Sequence, residues 1–417
     1  MKSIYISGNA PLYGEVTIQG SKNAALPIMA AALLIPGISV LKNCPRIADV
    51  EYMCRLLQSI GCFVERDKNE VRIDASTVSR SRLPEEYVTM MRSSVMLMGP
   101  MLGRTGEVSL HYPGGCVIGD RPIDIHLKAL RSLGTCYSDS DQELEAWTAG
   151  LRGTDILLEF PSVGATENAV MAAVAAEGVT RIRRCAMEPE IGSLCAFLRC
   201  AGADIRGEQT GCITVRGGRE LHPCCFEIPS DRIVAGTYLC ACMAAGGEIF
   251  MKNAPEGQLN AMEDVAIRMG CRLRRGDEGL WVQRRGILFS PGYVETGSYP
   301  GFPTDLQSPL LVAMALADGE SRLKETIFND RFVVVAELNR MGTEIDVQDN
   351  KLACIPGGRR LTGRQVTASE LRGGAALVVA GLCAEGLTAV GNRYFIDRGY
   401  EDICRDLRQL GADIDSW

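Results

Sequence analysis

The sequence predicts an α/β protein of two similar compact domains with three repeated units in each. Three observations carry this expectation. A helix end of the form Leu-x-x-(apolar)-Gly recurs at Leu57 to Gly61, Leu130 to Gly134, Leu198 to Gly202, Leu338 to Gly342 and Leu407 to Gly411, with a weaker copy at Ala266 to Gly270, a spacing of roughly 70 residues. A second series, Gly37, Gly106, Gly178, Gly247, Gly319 and Gly386, follows alanine-rich segments such as Ala24 to Leu34, Ala169 to Ala176, Ile233 to Ala245 and Ala375 to Ala384. These are apolar nearly all round and therefore read as buried helices. Finally, no proline-rich or low-complexity linker interrupts the 417 residues, so the units must pack into few bodies.

In order, a strand is expected at about Ile4 to Ile18, then in each unit a buried helix, a strand such as Ile38 to Leu41 or Glu248 to Met251, a second helix, and a hairpin such as Phe63 to Ile73 or Leu273 to Val282. The glycine closing each second helix suits a C-cap, and the alternating segment after it reads as the hairpin. We place the first domain at residues 22–229 and the second at 1–21 plus 230–417, because the last unit ends with half a hairpin that the opening strand can complete.

Composition narrows the function. Hydrophobic residues make up 46% and charged residues 23% of the chain, and the formal net charge is −7, which gives no basic footprint for nucleic acid or an anionic membrane. The longest apolar run, Ala24 to Pro36, is too short to span a bilayer. The expectation is a cytoplasmic protein, a monomer, with neither nucleic acid nor membrane as partner. The 17 cysteines are spread through the chain without a Cys-x-x-Cys pair, and His111, His126 and His222 are scattered. No metal or redox site is expected, and most of the thiols should be buried. Neither a Walker loop nor a Gly-x-Gly-x-x-Gly fingerprint occurs, and no cofactor is expected.

Two features point to chemistry on a small anion. In the loop 113–122, Cys116 lies between glycines with Arg121 five residues on, and prolines bound the segment at Pro113 and Pro122. A nearby cation favours the thiolate, and a guanidinium can hold a carboxylate or phosphate through two hydrogen bonds. The starts of the buried helices are also polar, at Ser21-Lys22-Asn23, Met91-Arg92-Ser93, Ala165-Thr166-Glu167-Asn168, Ser230-Asp231-Arg232, Pro303-Thr304-Asp305 and Glu370-Leu371-Arg372. A cation at a helix N-terminus opposes the macrodipole, so Lys22, Arg92 and Arg372 read as ligand-binding groups rather than solvated first-turn residues. Asp231, Thr166 and Asp305 have a simpler reading as N-caps.

Gly20 to Pro27, Pro113 to Pro122, Ser162 to Thr166, Phe302 to Asp305 and Ile396 to Glu401 together closely resemble the bacterial UDP-N-acetylglucosamine 1-carboxyvinyltransferases. The resemblance runs from near residue 1 to near residue 412. It implies two domains of inside-out α/β barrel form with the active site in the interdomain cleft. It also implies transfer of the enolpyruvyl group of phosphoenolpyruvate to the 3′-hydroxyl of UDP-N-acetylglucosamine, which commits the sugar to peptidoglycan, and sensitivity to the epoxide fosfomycin. By the same resemblance Lys22, Arg121 and Arg398 surround phosphoenolpyruvate, with Arg92 and Arg372 lining the cleft. Cys116 is the loop thiol, Asp305 the carboxylate near the 3′-hydroxyl, and Asn23 a residue holding the tetrahedral intermediate. Arg121, Pro122, Ile123, Asp124 and Ile125, with Ser162, Val163 and Gly164, match the uridine-binding segments; Ile327 and Arg331 complete the substrate site. Departures from the family pattern are Glu370 in place of Asp, Gly373-Gly374 after it, Asn329-Asp330 before Arg331, and Asp120 in the loop. Two other readings stay open: enolpyruvylshikimate phosphate synthase, which by the same resemblance shares the fold and phosphoenolpyruvate, and, motivated by the departures at Asn329, Asp330 and Glu370, a regulatory paralogue that binds the UDP-sugar.

Overall fold

The computed structural model describes residues 3–112, 114, 123–140 and 142–416. These fall into two compact units, one of residues 3–19 and 230–416, the other of residues 20–112, 114 and 123–229. Each has its own continuous apolar core.

In the first unit, the helices Arg232–Ala245, Gln307–Leu316 and Leu371–Cys383 pack against one another pairwise. They are apolar on all sides, and almost every residue of each is buried. Small residues let them approach: a Cβ on Gly236 would stand 2.3 Å from Leu306 Cδ1, so glycine there brings the start of one helix against the turn before the next. Three four-stranded sheets surround these helices. Their strand orders are Gln365–Thr367, Leu387–Gly391, Ile4–Ser7, Asp413–Ser416; Arg272–Gly276, Gly279–Arg284, Gly247–Lys252, Leu12–Thr17; and Tyr293–Glu295, Ser321–Lys324, Leu352–Ile355, Asp346–Gln348.

The second unit holds two four-stranded sheets and one three-stranded sheet among its described residues. Within its core lie the helices Lys22–Ala31, Met98–Thr105 and Val163–Ala175, the last two in direct contact. The Met98–Thr105 helix is preceded by a 3₁₀ stretch, Arg92–Leu97, so Arg92 opens a tighter turn than the expected α-helix. Asp305 likewise lies in a 3₁₀ turn, Thr304–Leu306.

Two elements differ from the sequence expectation. The opening segment is two strands in two different sheets, Ile4–Ser7 and Leu12–Thr17, because the backbone turns at Asn9, whose φ is 75°, just before Pro11. Short strands such as Asp155–Leu157 and Cys225–Glu227 also precede buried helices and pair in parallel with longer strands. Three residues are too few to show the alternation by which a strand is read from sequence. The expected hairpins are present, for example Phe63–Asp67 with Glu70–Asp74 and Arg272–Gly276 with Gly279–Arg284.

The glycines after the second helices adopt left-handed φ, from 87° at Gly411 to 106° at Gly342. A Cβ on Gly342 would also approach Arg360 O to 3.2 Å. Gly342→Ala should therefore lower unfolding free energy by about 1–2 kcal/mol, read as a fall in urea midpoint at unchanged slope.

Candidate active site

The helix Arg232–Ala245 begins at Asp231, whose Oδ1 accepts from Ile233 N at 2.8 Å and Val234 N at 3.1 Å. That carboxylate is an N-cap, as the sequence suggests. Asp305 is not. The turn Thr304–Leu306 starts from Pro303 without any side-chain cap, and the Asp305 carboxylate instead receives two guanidiniums. Arg331 Nη2 donates to Oδ1 at 2.7 Å and Arg372 Nη2 to Oδ2 at 2.9 Å. The arginine side chains are 2% and 4% exposed and that of Asp305 27%, so one partly accessible carboxylate lies against two buried cations.

The surroundings fix this arrangement. Glu325, itself buried, accepts from Thr304 Oγ1 at 2.9 Å through one oxygen and from Ile327 N at 2.7 Å and Phe328 N at 3.1 Å through the other. It thereby ties the Asp305 turn to the turn carrying Ile327. Arg331 lies with its Cζ 5.6 Å from the Phe328 ring centroid and its Nη1 3.8 Å from Glu370 Oε2. Glu370 caps the helix Leu371–Cys383, accepting from Arg372 N at 2.7 Å and from Gly373 N. Burial works against the charge on Arg372, but Asp305, Tyr400 and Asp231 more than offset it, so its pKa is raised and it stays charged.

Tyr400 was legible only as part of a motif, and its role lies in the interior. Its hydroxyl is 2.8 Å from Thr237 Oγ1, and Thr237 donates to Ile233 O at 2.9 Å, which leaves Tyr400 as donor to Thr237. Gln19 clamps the segment around it, donating to Gly399 O at 3.1 Å and accepting from Glu401 N at 2.8 Å. A Cβ on Gly399 would stand 2.8 Å from Leu371 Cδ2, so the segment after buried Arg398 packs on the start of the helix that carries Arg372. Among the described residues, Arg331 Nε and Arg372 Nη1 are buried and have no hydrogen-bond partner. Buried donors are nearly always satisfied, and an anionic or carbonyl acceptor would satisfy these.

The other unit carries Lys22, Asn23, Arg92 and the two expected uridine segments. Ser21 Oγ caps the helix Lys22–Ala31 through Ala24 N at 3.3 Å, and Lys22 Nζ lies 2.6 Å from buried Asp49 Oδ2. With a side chain 12% exposed, Lys22 is not a solvated first-turn residue. Asn23 and Arg92 are half-buried. Ser162 caps the helix Val163–Ala175, accepting from Ala165 N at 3.4 Å, while Thr166 is not a cap, since its hydroxyl donates back to Ser162 O at 2.8 Å and accepts from Ala186 N at 3.0 Å. Val163 and Gly164 are half-buried, Ile123 is buried, Asp124 exposed and Ile125 half-buried. The two segments meet: a Cβ on Gly164 would lie 2.9 Å from His126 Cε1. Asn168 holds that contact, donating to Val95 O at 2.9 Å and to His126 Nδ1 at 2.8 Å and accepting from Gly99 N at 2.8 Å. Asn168 belongs to one of the polar helix starts, but nothing in the sequence pairs it with His126. Cys116, Arg121 and Pro122, with the rest of the loop 113–122 apart from Gly114, lie outside the described residues.

The family model described as EPSP synthase (3-phosphoshikimate 1-carboxyvinyltransferase) matches residues 6–407. The solved enolpyruvyl transferase NikO from Streptomyces tendae aligns with a TM-score of 0.89 at 23% identity, covering 100% of this chain and 98% of that one. EPSP synthase from Acinetobacter baumannii aligns at 0.76 and 18% identity over 100% of both chains. The fold is that of the enolpyruvyl transferases. Among curated proteins, UDP-N-acetylglucosamine 1-carboxyvinyltransferase 2 of Caldanaerobacter subterraneus subsp. tengcongensis is 43% identical over 99% of both chains. UDP-N-acetylglucosamine 1-carboxyvinyltransferase of Sorangium cellulosum is 44% identical over 99% of this chain and 98% of its own. The chain belongs to the UDP-N-acetylglucosamine 1-carboxyvinyltransferase family.

One buried acid stands apart from these pairings. Glu167 is 1% exposed, and neither carboxylate oxygen has a hydrogen-bond partner among the described residues. Burial first, then Glu190 and Glu188, push its pKa well above the ordinary range. The native state therefore keeps a proton that the unfolded chain releases above about pH 4, and stability falls as pH rises from there. Glu167→Gln should be more stable than the parent by about 1–2 kcal/mol near neutral pH and level with it near pH 4, checked by urea melts at the two pH values.

Proposed function

We propose that this protein transfers the enolpyruvyl group of phosphoenolpyruvate to the 3′-hydroxyl of UDP-N-acetylglucosamine with release of phosphate, the first committed step of peptidoglycan synthesis. The observation that carries the reading is the Asp305 carboxylate held between two buried arginines, of which Arg331 Nε and Arg372 Nη1 have no acceptor among the described residues. A site of this charge suits an anionic substrate, and a partly exposed carboxylate beside it suits removal of a hydroxyl proton. In the reaction, Asp305 takes the proton of the sugar 3′-hydroxyl as its oxygen bonds to C2 of phosphoenolpyruvate, while a proton is added at C3. Loss of the C3 proton then expels phosphate and restores the double bond in the enolpyruvyl ether. Cys116 is assigned as the acid at C3, Lys22, Arg121 and Arg398 as phosphoenolpyruvate ligands, and Arg92, Arg331 and Arg372 as further cations of the site. Asn23, Ile327 and the segments 121–125 and 162–164 hold the remaining parts of the substrates.

The same reading takes the two units as three-unit inside-out α/β barrels, and the protein as a cytoplasmic monomer. Shikimate 3-phosphate as acceptor is favoured by the name of the matched family model, but the curated relatives above 40% identity are named for the sugar nucleotide. A purely regulatory role finds no support in the departures. Glu370 still caps its helix, and Asp330 accepts from Asn350 Nδ2 at 3.5 Å while Arg331 stays on Asp305.

Phosphate release should be seen with phosphoenolpyruvate and UDP-N-acetylglucosamine and not with shikimate 3-phosphate; the opposite preference would overturn the assignment. Asp305→Asn separates cap from ion pair. A cap would survive the change with stability intact, whereas loss of the carboxylate between two buried cations should lower stability by about 1–3 kcal/mol and turnover by about 100-fold or more.

Labelling tests the loop. Burial pushes the thiols of Cys54, Cys62 and Cys195 up to about 12, which makes them poor nucleophiles. Most of the described thiols are buried, as expected; Cys136, Cys200, Cys212 and Cys225 are exposed and serve as internal controls. Fosfomycin should label Cys116 ahead of these four, faster with UDP-N-acetylglucosamine present, and Cys116→Asp should retain turnover while resisting the epoxide. Peptide mapping that found the label spread over the exposed cysteines would return the loop to an ordinary glycine-rich turn.

A further inference from the structure

Glutamate is an unusual N-cap. Ser, Thr, Asp and Asn are favoured because one carbon places their oxygen over the second and third residues of the helix. Three other buried helices obey this preference, with Ser21, Ser162 and Asp231. Glu370 has one more methylene and still accepts from the N–H groups of Arg372 and Gly373. Its carboxylate lies across the first turn, where a side chain on the third residue would begin: a Cβ on Gly373 would stand 2.7 Å from Glu370 Oε1 and 3.1 Å from Val334 Cβ. In solvent the carboxylate would swing aside at little cost. Here it is 3% exposed, bonded to two backbone N–H groups and 3.8 Å from Arg331 Nη1, so displacing it breaks all three contacts.

We propose that Glu370 and Gly373 form a coupled positioning pair. The missing side chain of Gly373 lets the longer carboxylate of Glu370 bridge the helix start to Arg331, and this bridge sets the angle at which Arg331 and Arg372 together hold Asp305. Neither residue acts on the reacting atoms in this scheme. The consequence for turnover rests on the function proposed above; the coupling itself rests only on the packing of these residues.

The test is a double-mutant cycle in the full chain with E370D, G373A and the pair, read by thermal melting and by steady-state rates. Alanine is ordinarily the better helix residue. In the parent, G373A should nevertheless lower the melting temperature and reduce kcat by about tenfold, measured well below each variant's transition, where a merely structural role would leave kcat unchanged. In the E370D background the shorter acid vacates the space, and G373A should be neutral or raise the melting temperature. An equal effect of G373A in both backgrounds, or a rise in melting temperature in the parent, would refute the pairing. Coupled melting temperatures with kcat unchanged in every variant would refute the positioning of Arg331. If the parent itself lacks turnover with these substrates, the proposed function fails, while the melting cycle still decides whether the two residues are coupled.

Discussion

Two arginines cannot be buried side by side without a carboxylate between them, and Asp305 is that carboxylate. Arg331 and Arg372 belong to elements far apart in sequence, and Asp305 to a third, yet one oxygen of the acid receives each guanidinium. Removing a partner from such a cluster leaves an uncompensated buried charge, which is far more costly than a broken surface ion pair. The turn that carries Asp305 and the helix starts on either side of it are therefore constrained together. The Glu325 tie to Thr304 and the Gly236 approach to Leu306 supply that constraint from behind.

Position follows from the helices. Each is apolar all round, so it has no preferred solvent face and can be fixed only by its neighbours and its ends. The ends carry the polar groups. Asp231 and Glu370 satisfy backbone N–H groups that would otherwise remain unpaired, and in doing so hold Arg232 at the first and Arg372 at the second helical residue. Thr237 and Tyr400 then join one helix to the segment after Arg398 through a hydrogen bond in the core. Buried polar contacts of this kind stabilise modestly in net terms, but leaving one member unpaired is expensive, so they act as registers for the packing.

Much of this was legible in the chain because its signals are local. Glycines such as Gly61 and Gly342 mark helix ends where φ is 104° and 106°, and alanine-rich runs mark helices with no exposed face. The polar starts at Lys22, Asp305 and Arg372 were visible for the same reason. What could not be read was any property that depends on a partner from another element. Nothing local distinguishes Asp305 as an ion-pair centre from Asp231 as a cap; both precede a buried helix, and only the arrival of Arg331 and Arg372 separates them. Asp49 beneath Lys22 and Glu325 behind Thr304 were silent likewise, and Asn168 showed only as part of a polar helix start, not as the partner of His126. The three-residue strands escaped because they are defined by pairing rather than by pattern.

The cations at the helix starts raise a further question of charge balance. A positive group at a helix N-terminus opposes the macrodipole, and a buried one also loses its hydration. The fold answers with acids of its own: Asp49 for Lys22, Asp305 for Arg331 and Arg372, and Glu370 for both the helix start and Arg331. Such neutralisation allows each cation to be held in place within its own unit. It need not exhaust their hydrogen-bonding capacity, because a guanidinium has five donors and a carboxylate bond uses only one or two. Arg331 Nε and Arg372 Nη1 are the donors left over within the described residues. An arginine paired in this way is held by one edge while other donors of the same plane stay available for a further acceptor, a division of labour that a lysine, with a single rotatable ammonium, would not provide.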